Sequence, residues 1–75
     1  MKTLITARLS TTPLDPSAIA RVGAVVGRLG GVDSVTVSLA DARIDVGFDS
    51  HEITVEELRE VVMSLGYQVR GARIV

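Results

Sequence analysis

The sequence predicts an α+β two-layer sandwich of element order βαββαβ, with a four-stranded antiparallel sheet and both helices on one of its faces. Three observations carry that expectation. Four segments alternate apolar with polar residues, and two others repeat apolar residues at helical spacing behind a helix-start signal. Every connection between them is short, so no element is left over.

The first strand is expected over Lys2 to Leu9, where Ile5, Ala7 and Leu9 alternate with Thr6 and Arg8. Ser10 to Leu14 is a polar loop interrupted by Pro13. Asp15-Pro16 then reads as a helix start. The aspartate would cap the first free amides, and proline at the first helical position loses nothing by lacking an N–H. This helix is expected to reach about Leu29, to bury Ile19, Val22, Val26 and Leu29, and to stop at Gly30-Gly31.

Val35, Val37 and Leu39 form one face of a second strand, and Ile44, Val46 and Phe48 one face of a third. Ala40-Asp41-Ala42 between them is short enough for a hairpin. Thr54-Val55-Glu56-Glu57 is a capping box, with Ile53 and Leu58 placed as its hydrophobic staple. The second helix should bury Leu58, Val61, Val62 and Leu65 and end at Gly66. A last strand runs from Tyr67 towards Ile74. Val69 and Ile74 have opposite parity, so a bulge at Gly71 is needed to turn Ile74 inward, which suits an edge strand. Right-handed crossovers then give the ferredoxin-like split βαβ topology, with the first and third strands central.

Composition bounds the function. The 75 residues are expected to form a single domain spanning 1–75, stable by roughly 4–11 kcal/mol. There is no cysteine and one histidine, which excludes disulfides, thiolate metal sites and His clusters. A net charge of -1 with mixed signs argues against nucleic acid as a partner. No apolar run is long enough for a membrane span or signal-peptide core, so no membrane association and a cytoplasmic setting are expected. No catalytic arrangement emerges either, since His51 has no nucleophile beside it and the carboxylates are scattered among caps and turns. The expectation is a protein that is not an enzyme.

Between Gly31 and Val69 the sequence is more specific. Gly31-Val32, Val35-Thr36-Val37-Ser38-Leu39, Val46-Gly47-Phe48-Asp49, Thr54-Val55-Glu56-Glu57-Leu58 and Leu65-Gly66-Tyr67-Gln68-Val69, in this order and spacing, resemble the heavy-metal-associated domain family. That family includes copper chaperones, mercury-binding proteins and N-terminal modules of metal-pumping ATPases. Its members carry Met-x-Cys-x-x-Cys across the first loop and helix start, where two thiolates hold a soft ion. Counting back from Gly31-Val32 puts the two cysteine positions at about Asp15 and Ala18, and no residue from Ser10 to Ile19 is Cys, His or Met. The resemblance therefore implies the shape and docking surface of a copper-chaperone-like domain, without cofactor and without soft-metal binding.

Implied with it is a protein partner, a second copy of the chain included, met through a surface of Thr11, Thr12, Asp15 and Tyr67. Tyr67 matches the family's aromatic position beside the metal loop. As a plain tyrosine it would keep its ring packed and its hydroxyl wet. Two further functions stay open. Asp49, His51 and Glu52 offer ligands for a hard divalent ion, although adjacent loop residues rarely converge on one ion and serve more often as turn formers. An ACT-like module binding small molecules shares the element order, but Ser10 to Asp15 lacks the glycine-rich amides such a site presents. Ser10-Thr11-Thr12, ahead of a helix start, is read as a loop whose hydroxyls bond its own backbone rather than as a phosphate site. Ala20, Gly23, Ala24 and Gly27 form a small-residue stripe that suits close backbone approach, to the second helix in the first place or else to a partner molecule. Met63 is expected at the surface, and Arg70 and Arg73, with Lys2 and Arg8, to form a basic edge that either meets an acidic partner or, as such edges do more often, discourages unwanted strand pairing.

Overall fold

A computed structural model describes residues 3–75. The element order is β1 (Leu4–Thr11), α1 (Ser17–Val26), β2 (Val32–Ser38), β3 (Arg43–Asp49), α2 (Val55–Ser64) and β4 (Val69–Ile74). The strands form one antiparallel sheet in the order β2-β3-β1-β4, with the first and third strands central as expected. Lys2, read as the start of the first strand and part of a basic edge, lies outside the described residues. Among them, no helix is long and apolar enough to cross a membrane.

The core lies between the sheet and the helices. Ala7 and Leu9 from β1 and Ile44, Val46 and Phe48 from β3 meet Val22 and Val26 from α1 and Leu58 and Val62 from α2, with Ile53 closing the end. Strand alternation thus selects the inner residues of β1 and β3 as expected. In the second helix, the Thr54 hydroxyl accepts from the Glu57 amide at 3.2 Å. The reciprocal half of the capping box differs, since the Glu57 carboxylate accepts from the Thr54 hydroxyl instead of from its amide. Gly66 follows the helix with φ +98°, a left-handed position that glycine adopts without strain.

The first helix departs from expectation in three ways. Its buried residues are Ala18, Val22 and Val26, while Ile19 is 52% exposed. Both readings share Val22 and Val26; the fully buried methyl of Ala18 lets the helix start lie close on the sheet, and Ile19 stands 100° further round. The regular helix also stops at Val26, and tighter turns through Arg28→Val25 and Leu29→Val26 hydrogen bonds carry the chain on. Leu29 still packs against the core, but Gly31, at φ +93°, serves the turn into β2 rather than the helix end.

Finally, the Asp15 side chain does not cap the helix: Pro16 occupies the cap position, and no side-chain cap bond forms. The small-residue stripe also stands differently from expectation. Ala20, Gly23, Ala24 and Gly27 are exposed, and a Cβ added at Gly23 would meet nothing within 4 Å. No close approach inside the domain explains that glycine.

The expected irregularity in β4 is present. Gly71 pairs with Ser10 and Val69 with Thr11, leaving Arg70 as the extra residue of a bulge. The bulge puts Ile74 opposite Ala7 on the inner face, yet Ile74 remains 49% exposed because it lies at the open edge.

Candidate functional site

The loop joining β1 to α1 and the turn joining α2 to β4 meet at one end of the sheet. The Thr12 amide donates to the Gln68 carbonyl at 3.2 Å, which ties Thr12 to the residue after Tyr67. Thr11 holds the loop from within. It is 4% exposed, its amide donates to Ala42 O at 2.8 Å, and its hydroxyl has Thr12 O and Ala42 O at 2.9 and 3.0 Å to choose between. Because β1 runs on to Thr11, that residue shapes the loop and is not itself surface, which corrects its place among the contact residues. The hydroxyl bonding its own backbone is as expected for this segment.

Asp15 is exposed. Its carbonyl accepts from the Ala18 amide at 3.0 Å and its carboxylate from the Ser17 hydroxyl. That hydroxyl holds the Asp15 pKa below the ordinary carboxylate value, with the Ala18 and Ser17 amides and the Arg21 charge acting in the same direction. Ala18 is fully buried and carries no donor atom. A two-thiolate site for a soft ion does not fit these residues: one position offers a hard oxygen already engaged with Ser17, and the other a buried methyl.

Tyr67 packs its ring against the core. Its hydroxyl, expected to be wet, is instead buried and has no hydrogen-bond partner among the described residues. Nothing in the sequence signalled this, since it depends on tertiary packing around the ring. Met63 is 46% exposed as expected, and with Gly66, Tyr67, Gln68 and Val69 it lines an open depression of about 340 Å³ beside β4.

The other ligand-bearing cluster lies at the opposite end of the sheet, since Asp49 pairs with Leu4 while Ser10 pairs with Arg43. Asp49 is buried, and its carboxylate accepts from the His51 amide at 2.9 Å; its carbonyl accepts from Glu52 and Ile53. This is the side-chain-to-backbone geometry of a turn former. His51 and Glu52 are exposed. Among the described residues no group of three or more His, Cys, Asp or Glu side chains converges.

On the open face of the sheet, Arg8 donates to Asp45 at 3.1 Å, and Arg43 approaches Asp45 and Asp41 at 3.8 and 3.7 Å. Arg73 stands directly across from Arg8. Neither Arg70 nor Arg73 makes an ion pair among the described residues.

No family model matches the chain. Over 44 residues it is 36% identical to the copper chaperone CopZ of Bacillus subtilis, a match covering 59% of this chain and 64% of that protein, so it spans less than two thirds of the relative's length.

Solved structures extend the likeness to the whole fold. Oxidized MerP from Ralstonia metallidurans superposes with a TM-score of 0.80 at 22% identity, covering 92% of this chain and 100% of that one. The N-terminal domain of a potential copper-translocating P-type ATPase from Bacillus subtilis gives 0.80 at 22%, covering 95% and 92%. A copper-binding domain from another P-type ATPase gives 0.79 at 24%, covering 95% and 93%. At 22–24% identity, this likeness shows the ferredoxin-like fold. The chain thus has the ferredoxin-like fold of these domains, is similar to a copper chaperone over 44 residues, and contains no cysteine.

Proposed function

We infer that this domain does not carry a soft metal ion and acts through contacts with another protein. The observation that carries the reading is the pair Asp15 and Ala18. At the helix start where such domains present two thiolates, one residue offers a carboxylate bound to Ser17 and the other a fully buried methyl. The scaffold around them is intact, including the Thr12–Gln68 link and the packed Tyr67 ring. A surface of exposed Asp15 with half-buried Thr12 and Tyr67 is there for a partner protein or a second copy of the chain, within the cytoplasm.

Calorimetric titration of the purified domain with Cu(I) and Zn(II) tests the metal half. The expected result is no stoichiometric binding in the sub-micromolar range, and a tight one-to-one isotherm would refute it. The contact half is tested by charge and bulk at the loop. Thr12→Arg with Asp15→Arg should abolish association with whatever partner co-purifies with the wild-type chain, while leaving the fold unchanged.

A further inference from the structure

The exposed groove along β4 combines three features that the loop at the helix start does not use. The first is a free backbone edge. The Val75 amide donates to Thr6 O at 2.9 Å, so Val75 and, by alternation, Arg73 turn their backbone groups towards β1. Ala72 and Ile74 therefore turn theirs outward, away from the sheet. The second is an uncovered apolar strip beside that edge. Met63 on α2 is 46% exposed and Ile74 is 49% exposed, with Val69 and Ala72 between them. The strip follows from α2 covering the inner face of β4 only in part.

The third feature is charge. Glu56 and Arg59, on the wall of the groove, pair with each other at 3.4 Å. Arg70 lines the same groove and Arg73 stands on the other face of the strand; neither has an acid partner among the described residues. The edge thus presents three bases, with Glu56 paired to one of them and the exposed Glu60 one turn further along α2. Two copies of β4 paired with each other would bring Arg70 and Arg73 of both together, and like charges across strands are destabilising. The charges that oppose a second copy favour an acidic strand.

We propose that the β4 edge is a docking site for an extended acidic segment of a partner protein, which adds a fifth strand against Gly71–Ile74. Its backbone pairs with Ala72 and Ile74, alternate apolar side chains lie on the Met63–Val69 strip, and the carboxylates between them, on the other face, meet Arg73, with Arg70 in the groove adding to the positive field. The β2 edge is the poorer candidate: its inner residues Val35 and Val37 are half-buried under α1, and it carries an exposed acid, Asp33. The bulge at Arg70 limits the pairing to the short regular stretch beyond it. This proposal rests on the reading of the domain as an interaction module and names the partner's chemistry.

The test uses the full ¹⁵N-labelled chain and two blocked synthetic peptides of alternating sequence, one of Glu and Val, the other of Lys and Val. Titration with the Glu peptide should give saturable shifts at the Met63, Val69, Ala72 and Ile74 amides, weakening as salt is added. The Lys peptide should give none. The double variant Arg70→Glu/Arg73→Glu should bind the Glu peptide about tenfold more weakly and gain affinity for the Lys peptide. Ala72→Pro removes an outward amide without touching the β1 ladder, so it should fold and lose binding. Equal responses to both peptides, or to neither, would overturn the proposal. So would shifts confined to Thr12, Asp15 and Tyr67, which would leave the broader interaction reading standing. The Cu(I) titration reads the metal half separately and is indifferent to every one of these outcomes.

Discussion

The Asp49 amide donates to the Gly31 carbonyl at 2.7 Å, tying the end of β3 to the turn that enters β2. Gly31 holds φ +93°, and a Cβ there would lie 2.7 Å from the Glu52 Cβ and 3.2 Å from Ile53. Both the backbone conformation and the space exclude a side chain. Gly31→Ala should therefore destabilise the domain by about 1–3 kcal/mol from backbone strain, with the contact pushing towards the upper end. Thermal unfolding should show a fall of roughly 10 °C or more in Tm. A change within the error of the measurement would mean that the turn rearranges freely.

Gly23 is the opposite case. It is exposed in the middle of α1, with open space where a Cβ would sit. Gly23→Ala should stabilise the domain by about 0.5–1 kcal/mol, because alanine loses less backbone freedom on entering a helix. Chemical denaturation should show a higher midpoint with an unchanged slope. Lost stability would reveal a contact with α1 that the open space does not suggest.

These two glycines mark what was legible in the sequence. Helix ends and strand faces announce themselves through local chemistry: the Thr54 cap, Gly66 after α2, and the alternation through Phe48 all stand where the pattern placed them. The opposite parity of Val69 and Ile74 even called for the bulge, which falls at Arg70, one residue before the expected Gly71. Questions settled by tertiary approach were not legible. Ala18 and Ile19 are neighbours on a helix apolar over most of its circumference, and only the distance to the sheet decides which is buried. The burial of Thr11 and of the Tyr67 hydroxyl depends on tertiary packing, for which no residue pattern codes.

The buried Tyr67 hydroxyl can be tested directly. A buried hydroxyl without a partner loses its hydration and gains no hydrogen bond in return. Tyr67→Phe should accordingly be neutral or stabilise the domain by up to about 1 kcal/mol, read from urea unfolding at constant slope. A loss of more than about 1 kcal/mol would show that the hydroxyl is hydrogen-bonded in solution.

Asp15 supplies a pH signature. Its pKa lies below the ordinary value of 3.8 because the Ser17 hydroxyl, the nearby amides and Arg21 favour the ionised form. A depressed folded-state pKa contributes stability above the unfolded value, and that contribution is lost as pH falls through the folded value. The difference in Tm between wild type and Asp15→Asn should thus be constant near neutral pH and shrink once pH drops below about 3.8. A difference that persists undiminished at lower pH would mean that the carboxylate acts through shape alone.

Asp15 and Ala18 also allow the inferred loss of metal binding to be reversed. The two residues stand three apart where the loop becomes helix, the spacing that brings two side chains to one face. Cysteine is small enough to replace the buried Ala18 at a cost of about 1 kcal/mol, and an exposed thiol at Asp15 is unobstructed. Asp15→Cys/Ala18→Cys should bind one Cu(I) per chain in competition with a chromophoric chelator, whereas the wild type and either single variant should lose that competition. Soft thiolates supply what the carboxylate and the methyl cannot, so the gain should require both substitutions. If the double variant folds and still fails to hold Cu(I), the end of the scaffold has itself diverged, and absence of the cysteines is not the whole reason the site is lost.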